Sequence, residues 1–144
     1  MIYLGQFVKT ATFPHPFPEW TDSIGWIPLE EAKKSGKPAL VLIYNPNCSM
    51  CCNLKAKLMA HPGVKMLSPE FAMVHLTADE IPTEEKGVFT PDGAYVPRIL
   101  FFDANFNFLP QVQGTEPTYQ YFYRDPRAIE ISMRRVLYMH KYSF

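Results

Sequence analysis

The sequence predicts one α/β domain, a small mixed sheet with helices on both faces. Three observations carry this. Residues 39–44 and 71–77 are short, almost wholly apolar runs of the kind that form buried strands. A helical stretch separates them, as a crossover between parallel strands requires. A further apolar run at 98–103 is followed closely by 106–109, which reads as an antiparallel hairpin across Ala104-Asn105. With 144 residues, 47% of them hydrophobic, the chain can bury one core but not two.

Taken in order, residues 1–19 form an arm. Pro14, Pro16 and Pro18 forbid a helix there and favour extended or polyproline backbone. The domain proper is expected over 20–144. Leu29 to Ser35 reads as a helix stopped by Gly36. Pro38 opens the first strand, Ala39 to Tyr44. A cysteine cluster follows and opens a second helix, which runs to about His61 and is stopped by Pro62-Gly63. Phe71 to Thr77 is the second strand. Residues 79–94, acidic and carrying Pro and Gly, read as a loop. The hairpin follows. The last helix is expected from about Pro126 to Tyr138, with Ile129, Met133, Val136 and Leu137 on one face.

Composition removes several functions. Lys+Arg and Asp+Glu are 14 each, so no global basic field exists to hold a nucleic-acid backbone. No apolar run approaches the roughly 20 residues of a membrane span. The first eight residues make a poor secretory signal core, and the C-terminus is no retention signal. A cytoplasmic location, or a trimmed form of a longer chain, satisfies both.

The 3 cysteines fall between Cys48 and Cys52, just after a buried strand and at the start of a helix. That places the Cys48 sulfur near unsatisfied backbone N–H groups and the positive end of the helix dipole. Both favour thiolate over thiol, and thiolate is the attacking species. Cys51 lies one turn on and could displace a bound partner. Between Glu31 and Glu70 there is no acidic residue, while Lys33, Lys34, Lys37, Lys55, Lys57 and Lys65 give that window a local charge of +6. A structural zinc site would need a second ligand pair, and covalent haem would need His at position 52, where Cys stands. No metal and no cofactor is therefore expected. Inert core thiols are the alternative to redox chemistry.

The chain resembles the thioredoxin-fold proteins. More narrowly, it is similar to the anterior-gradient family and the related small thioredoxin-domain oxidoreductase of the endoplasmic reticulum. The residues that carry the resemblance are Trp26, Glu31-Ala32, Ser35 to Pro38, Cys48 to Cys51 with Leu54-Lys55, Phe71 with Met73-Val74, Phe89 to Gly93, Tyr95 to Phe101, and Tyr121 to Tyr123. It implies a thioredoxin-like fold, thiol–disulfide exchange on protein thiols and disulfides, and residence in the endoplasmic reticulum lumen or secretion. It also implies that Pro97 is a cis-proline facing the active site and that the Val96 backbone pairs with an extended substrate. Met50, between the two cysteines, joins Val96 and Pro97 as a substrate-contacting position.

The chain departs from the family pattern at three places. Asn47 stands where Trp usually precedes the first cysteine. Leu42 replaces the buried acid six positions before it. Cys52 is additional, either a core thiol on a stripe with Ala56 and Met59 or an alternative resolving thiol to Cys51. Asn47-Cys48-Ser49 also has the form of an N-glycosylation acceptor. Two function classes follow. One is an oxidoreductase using Cys48 and Cys51. The other is a non-catalytic thioredoxin-fold module that binds peptides or a partner. The stretch Tyr119 to Tyr123 would favour peptide binding or a homodimer if its rings were exposed.

Overall fold

The computed structural model describes Trp20 and residues 23–142. The proline arm therefore lies outside the described residues. The elements are α1 (Leu29–Lys33), β1 (Ala39–Tyr44), α2 (Ser49–Ala60), α3 (Pro62–Leu67), β2 (Ala72–Thr77), α4 (Lys86–Phe89), β3 (Arg98–Phe102) and α5 (Pro126–Lys141).

All six residues of β1 are buried, as its unbroken apolar run requires. It is the central strand. It pairs in parallel with β2, from Ala39 with Ala72 to Tyr44 with Thr77, and antiparallel with β3, from Ala39 with Phe102 to Ile43 with Arg98. Successive side chains leave opposite faces of a strand. Leu40 and Leu42 thus join Met73, Ile99 and Phe101 under α2, α3 and α5. Val41 and Ile43 join Val74, Leu76, Leu100 and Phe102 under α1 and Phe89. The mixed sheet with helices on both faces is present, and it is a thioredoxin-like fold.

Four details differ from the sequence reading. First, Pro62 ends α2 but starts α3. His61 is forced into extended backbone (φ −82, ψ 115), as a residue before proline tends to be, and Pro62 then occupies the first helical position, where its missing N–H costs nothing. Second, the loop at 79–94 contains two short 3-10 turns and α4. Third, the hairpin shrinks to a single bridge, Phe102 with Phe108. The Asp103 carboxylate accepts from the N–H groups of Asn105 and Asn107, at 2.9 and 2.8 Å, and Phe106 takes a left-handed φ of 60. This Asx-type turn uses up residues that a two-residue hairpin would have left to the strand. The antiparallel partner of β3 is instead β1. Fourth, α5 continues to Lys141.

Glu130 of α5 holds the α2–α3 break. Its carboxylate lies 2.8 Å from His61 Nε2 and 2.8 Å from Arg134. A Cβ on Gly63 would come 2.0 Å from that carboxylate, so a larger residue there would make the Glu130 side chain shift. Hydrogen bonds from His61 and then Arg134 hold the Glu130 carboxyl below its ordinary value. A depressed folded value means that the stabilisation is complete above the unfolded glutamate value of about 4.3 and is lost as pH falls through the folded one. The urea midpoint should therefore fall as pH drops below the unfolded glutamate value, and Glu130→Gln should flatten that slope. An equally steep fall in the Gln variant would show that the pair is not its source.

Candidate active site

Asn45 and Pro46 end β1 and turn the chain into α2. The Asn45 side chain accepts from the Asn47 N–H at 2.9 Å, and its carbonyl accepts from the Cys48 N–H at 3.0 Å. Cys48 then takes the N-cap position with extended backbone. Its sulfur accepts the Cys51 N–H at 3.2 Å, a bond that a cap oxygen would normally accept. The capping group of the helix is thus also its partly accessible sulfur.

The three thiols are not equivalent. Cys48 is half-buried, Cys51 is 2% exposed and Cys52 is 6% exposed; none is in a disulfide. Burial, then the hydrogen bond to Cys48, pushes the Cys51 thiol up to about 12. The pair therefore joins a reachable sulfur to a neighbour that stays protonated. Cys52 is buried, but the stripe expected for it is not a core face: Ala56 is exposed and Met59 half-buried.

The +6 window of the sequence does not survive folding as a field around the cysteines. Lys33 is paired with Glu30 and Glu85. The Lys37 ammonium donates to the Pro69 carbonyl. Lys55 is fully buried, with Nζ 2.7 Å from Met59 Sδ and 4.0 Å from the Trp20 ring centroid. The absence of acids in a stretch of sequence is no measure of their absence in space. His75 stacks on Trp20 at 3.5 Å, within a cluster that includes Trp26 and Tyr44. Among the described residues, no three His, Cys, Asp or Glu side chains gather as a metal site.

A cleft of about 150 Å³ runs beside the helix start. Met50, Asn53, Leu54 and Lys57 of α2 form one wall, and Pro97 with Phe122, Tyr123 and Arg124 forms the other. The structure thus brings Met50 and Pro97 together. The Val96–Pro97 peptide is cis. The Val96 side chain packs on the opposite apolar cluster. Tyr121, Phe122 and Tyr123 are buried, contrary to the open aromatic surface considered from sequence, and Tyr119 is exposed.

The loop that carries Pro97 is fixed by residues to which sequence reasoning gave no role. Arg98 is 1% exposed; its Nε donates to the Phe89 carbonyl at 2.8 Å and its Nη1 to the Tyr95 carbonyl at 2.5 Å. Burial, then the hydrogen bond to Asp92, keeps the Tyr95 phenol protonated. That phenol donates to Asp92 Oδ1 at 2.6 Å and accepts the Tyr121 N–H at 3.0 Å, while Asp92 Oδ2 accepts the Gln120 N–H at 2.8 Å. The proline loop and the 120–124 wall are therefore one hydrogen-bonded unit. The signal available in sequence was a charged residue opening a buried strand directly after Val-Pro.

Tyr95 positions the cleft wall through its hydroxyl. Tyr95→Phe keeps the ring beside Tyr119 (centroids 4.7 Å apart) but releases Tyr121 and Asp92. The expected result is a KM for a peptide disulfide raised about 3–10-fold with kcat little changed, the pattern of lost uniform binding. A fall in kcat alone would contradict it.

Residues 28–104 match the family model described as thioredoxin-like. Anterior gradient protein 2 of Xenopus tropicalis is 27% identical over 130 residues, which cover 85% of this chain and 76% of the relative. Anterior gradient protein 3 of Mus musculus is 31% identical over 126 residues, covering 82% and 74%. The solution structure of a thioredoxin from Thermus thermophilus superposes with a TM-score of 0.57 at 21% identity, over 82% of this chain and 90% of that one.

Proposed function

This chain belongs to the thioredoxin-like family, and within it to the anterior-gradient proteins; from that premise we propose that it is a thiol–disulfide oxidoreductase acting on protein substrates through Cys48 and Cys51. The observation that carries the reading is the unequal pair. A partly exposed Cys48 sulfur accepts a helix N–H, and a buried, protonated Cys51 lies one turn behind it.

In the reducing direction, the Cys48 thiolate attacks one sulfur of a substrate disulfide. A Cys48–substrate disulfide forms, the substrate S–S bond breaks, and the departing thiolate takes a proton. Cys51 then loses its proton and attacks the Cys48 sulfur, which forms the Cys48–Cys51 disulfide and frees the second substrate thiol. Two electrons pass from the enzyme pair to the substrate, and oxidation runs the same steps backwards. The high Cys51 value holds that thiol in reserve until the mixed disulfide exists. Leu42 occupies the place of the acid that assists this proton transfer in many thioredoxins, which favours a slow resolving step over fast reduction.

Met50, Pro97 and the Val96 backbone are assigned to substrate contact, and Cys52 to the core. The compartment that fits disulfide exchange on proteins is the secretory pathway, the endoplasmic reticulum lumen or beyond.

The test is Cys51→Ser incubated with a disulfide-bonded peptide and analysed by mass. A trapped Cys48–peptide adduct with no internal bond supports both the mechanism and a core role for Cys52. Quantitative Cys48–Cys52 bonding with turnover retained would make Cys52 the resolving thiol. The absence of any adduct would favour a peptide-binding module.

A further inference from the structure

We infer that the cleft beside α2 selects substrate segments that carry an acidic side chain a few residues from the cysteine under attack. This rests on the oxidoreductase reading for its biological use, but not for its test.

The two charged side chains that line the cleft are both cationic, Lys57 on one wall and Arg124 on the other, and no carboxylate lines it. Its remaining surface combines Met50, Leu54, Pro97, Phe122 and Tyr123 with the amide of Asn53. Lys57 is exposed and makes no ion pair among the described residues. Arg124 is held at the wall by the Phe122 ring, 5.2 Å from the guanidinium, and by a 3.3 Å contact with Glu116. That contact engages one edge of an exposed guanidinium and leaves other donors for a ligand. Asp125, whose carboxyl feels the Lys57 charge from a distance, is bound by Arg127 at 2.9 Å. Glu116 and Asp125 each already hold an arginine, whereas Lys57 has only a longer-range interaction with Asp125 and no close ion pair among the described residues.

Helix geometry sets the spacing. Lys57 is nine residues beyond Cys48, about 13 Å along the axis at 1.5 Å per residue. Helical side chains lean back toward the N-terminus by up to about one turn, about 5 Å. Measured along the helix axis, the ammonium can therefore serve a point about 8–13 Å beyond the sulfur. An extended chain rises about 3.3 Å per residue, so an acidic residue about three or four positions from the substrate cysteine reaches it. The apolar floor takes the side chains in between. An ion pair at such an exposed site adds discrimination rather than tight binding, and salt weakens it.

The experiment measures binding of fluorescent peptides with alanine in place of the cysteine and Glu, Gln or Lys three positions away on either side. The expected order at low ionic strength is Glu, then Gln, then Lys, with Glu and Lys about 5-fold apart. The gap should close at high salt, and Lys57→Glu combined with Arg124→Glu should reverse the order. Equal affinities, or no binding by any of the three, would overturn the inference. Failure of the oxidoreductase reading shows differently, as no exchange with the corresponding disulfide peptides whatever their charge.

Discussion

Cys48→Ser should bring disulfide exchange down to the background rate while leaving the fold intact. A serine hydroxyl can accept the same Cys51 N–H that the sulfur accepts, and serine is a preferred N-cap residue, so α2 keeps its cap. Thermal stability should therefore not fall. What disappears is the only thiol with appreciable access to solvent, because Cys51 and Cys52 are both buried. Neither can be reached by a protein disulfide without opening the helix. Loss of an obligatory nucleophile costs on the order of 10³-fold or more. Insulin reduction, or reduction of a fluorescent glutathione disulfide, measures it. Activity within a few-fold of the unsubstituted protein would show that Cys48 is not the attacking thiol.

The parts of this molecule that could be read from sequence are those set by local rules. The strand Ala39 to Tyr44 is apolar at every position, and only burial on both faces suits such a run. The cap at Cys48 follows from a cysteine pair placed between a strand and a helix. The stripe of α5 follows from its period. Other features depend on what folding brings near. The +6 window dispersed because Glu30 and Glu85 close on Lys33, and Glu85 is 52 residues away in the chain. Lys55 vanished under Trp20 because an aromatic ring from outside the helix covered it. The hairpin shortened to one bridge because a single carboxylate, that of Asp103, captured two backbone N–H groups and lengthened the turn. Within the site, Met50 and Pro97 were legible as neighbours through the family resemblance. The wall at 122–124 was not. Its place is fixed by the Asp92–Tyr95–Tyr121 bonds and by Gly114, where a Cβ would come 2.5 Å from the Phe122 carbonyl oxygen. No local pattern announces such a tertiary contact.

Arg98→Met should be the most destabilising single change in the loop that carries Pro97. The guanidinium is buried, and that burial pulls it below its ordinary value, with Tyr95 and Asp92 acting against the shift. It nonetheless supplies donors to two carbonyls, the buried one of Phe89 and the partly buried one of Tyr95. A hydrogen bond from a charged donor contributes about 1.5–3 kcal/mol, and both are lost together. Removing a buried cation returns part of this, and methionine fills much of the space left by the stem. The net cost should be about 3 kcal/mol, near 10 °C in Tm for a domain of this size. Arg98→Lys should recover little, because one ammonium cannot present two diverging donors to carbonyls six residues apart as the planar fork does. Arg127 provides the comparison. It is exposed and pairs with Asp125 two residues away, so Arg127→Met should move Tm by no more than a degree or two. A melt in which both Met variants shift alike would mean that the Arg98 fork does not hold the loop. A large shift for Arg98 alone, with the peptide KM rising as it does for Tyr95→Phe, would mean that one buried fork sets both the stability of the proline loop and the width of the cleft.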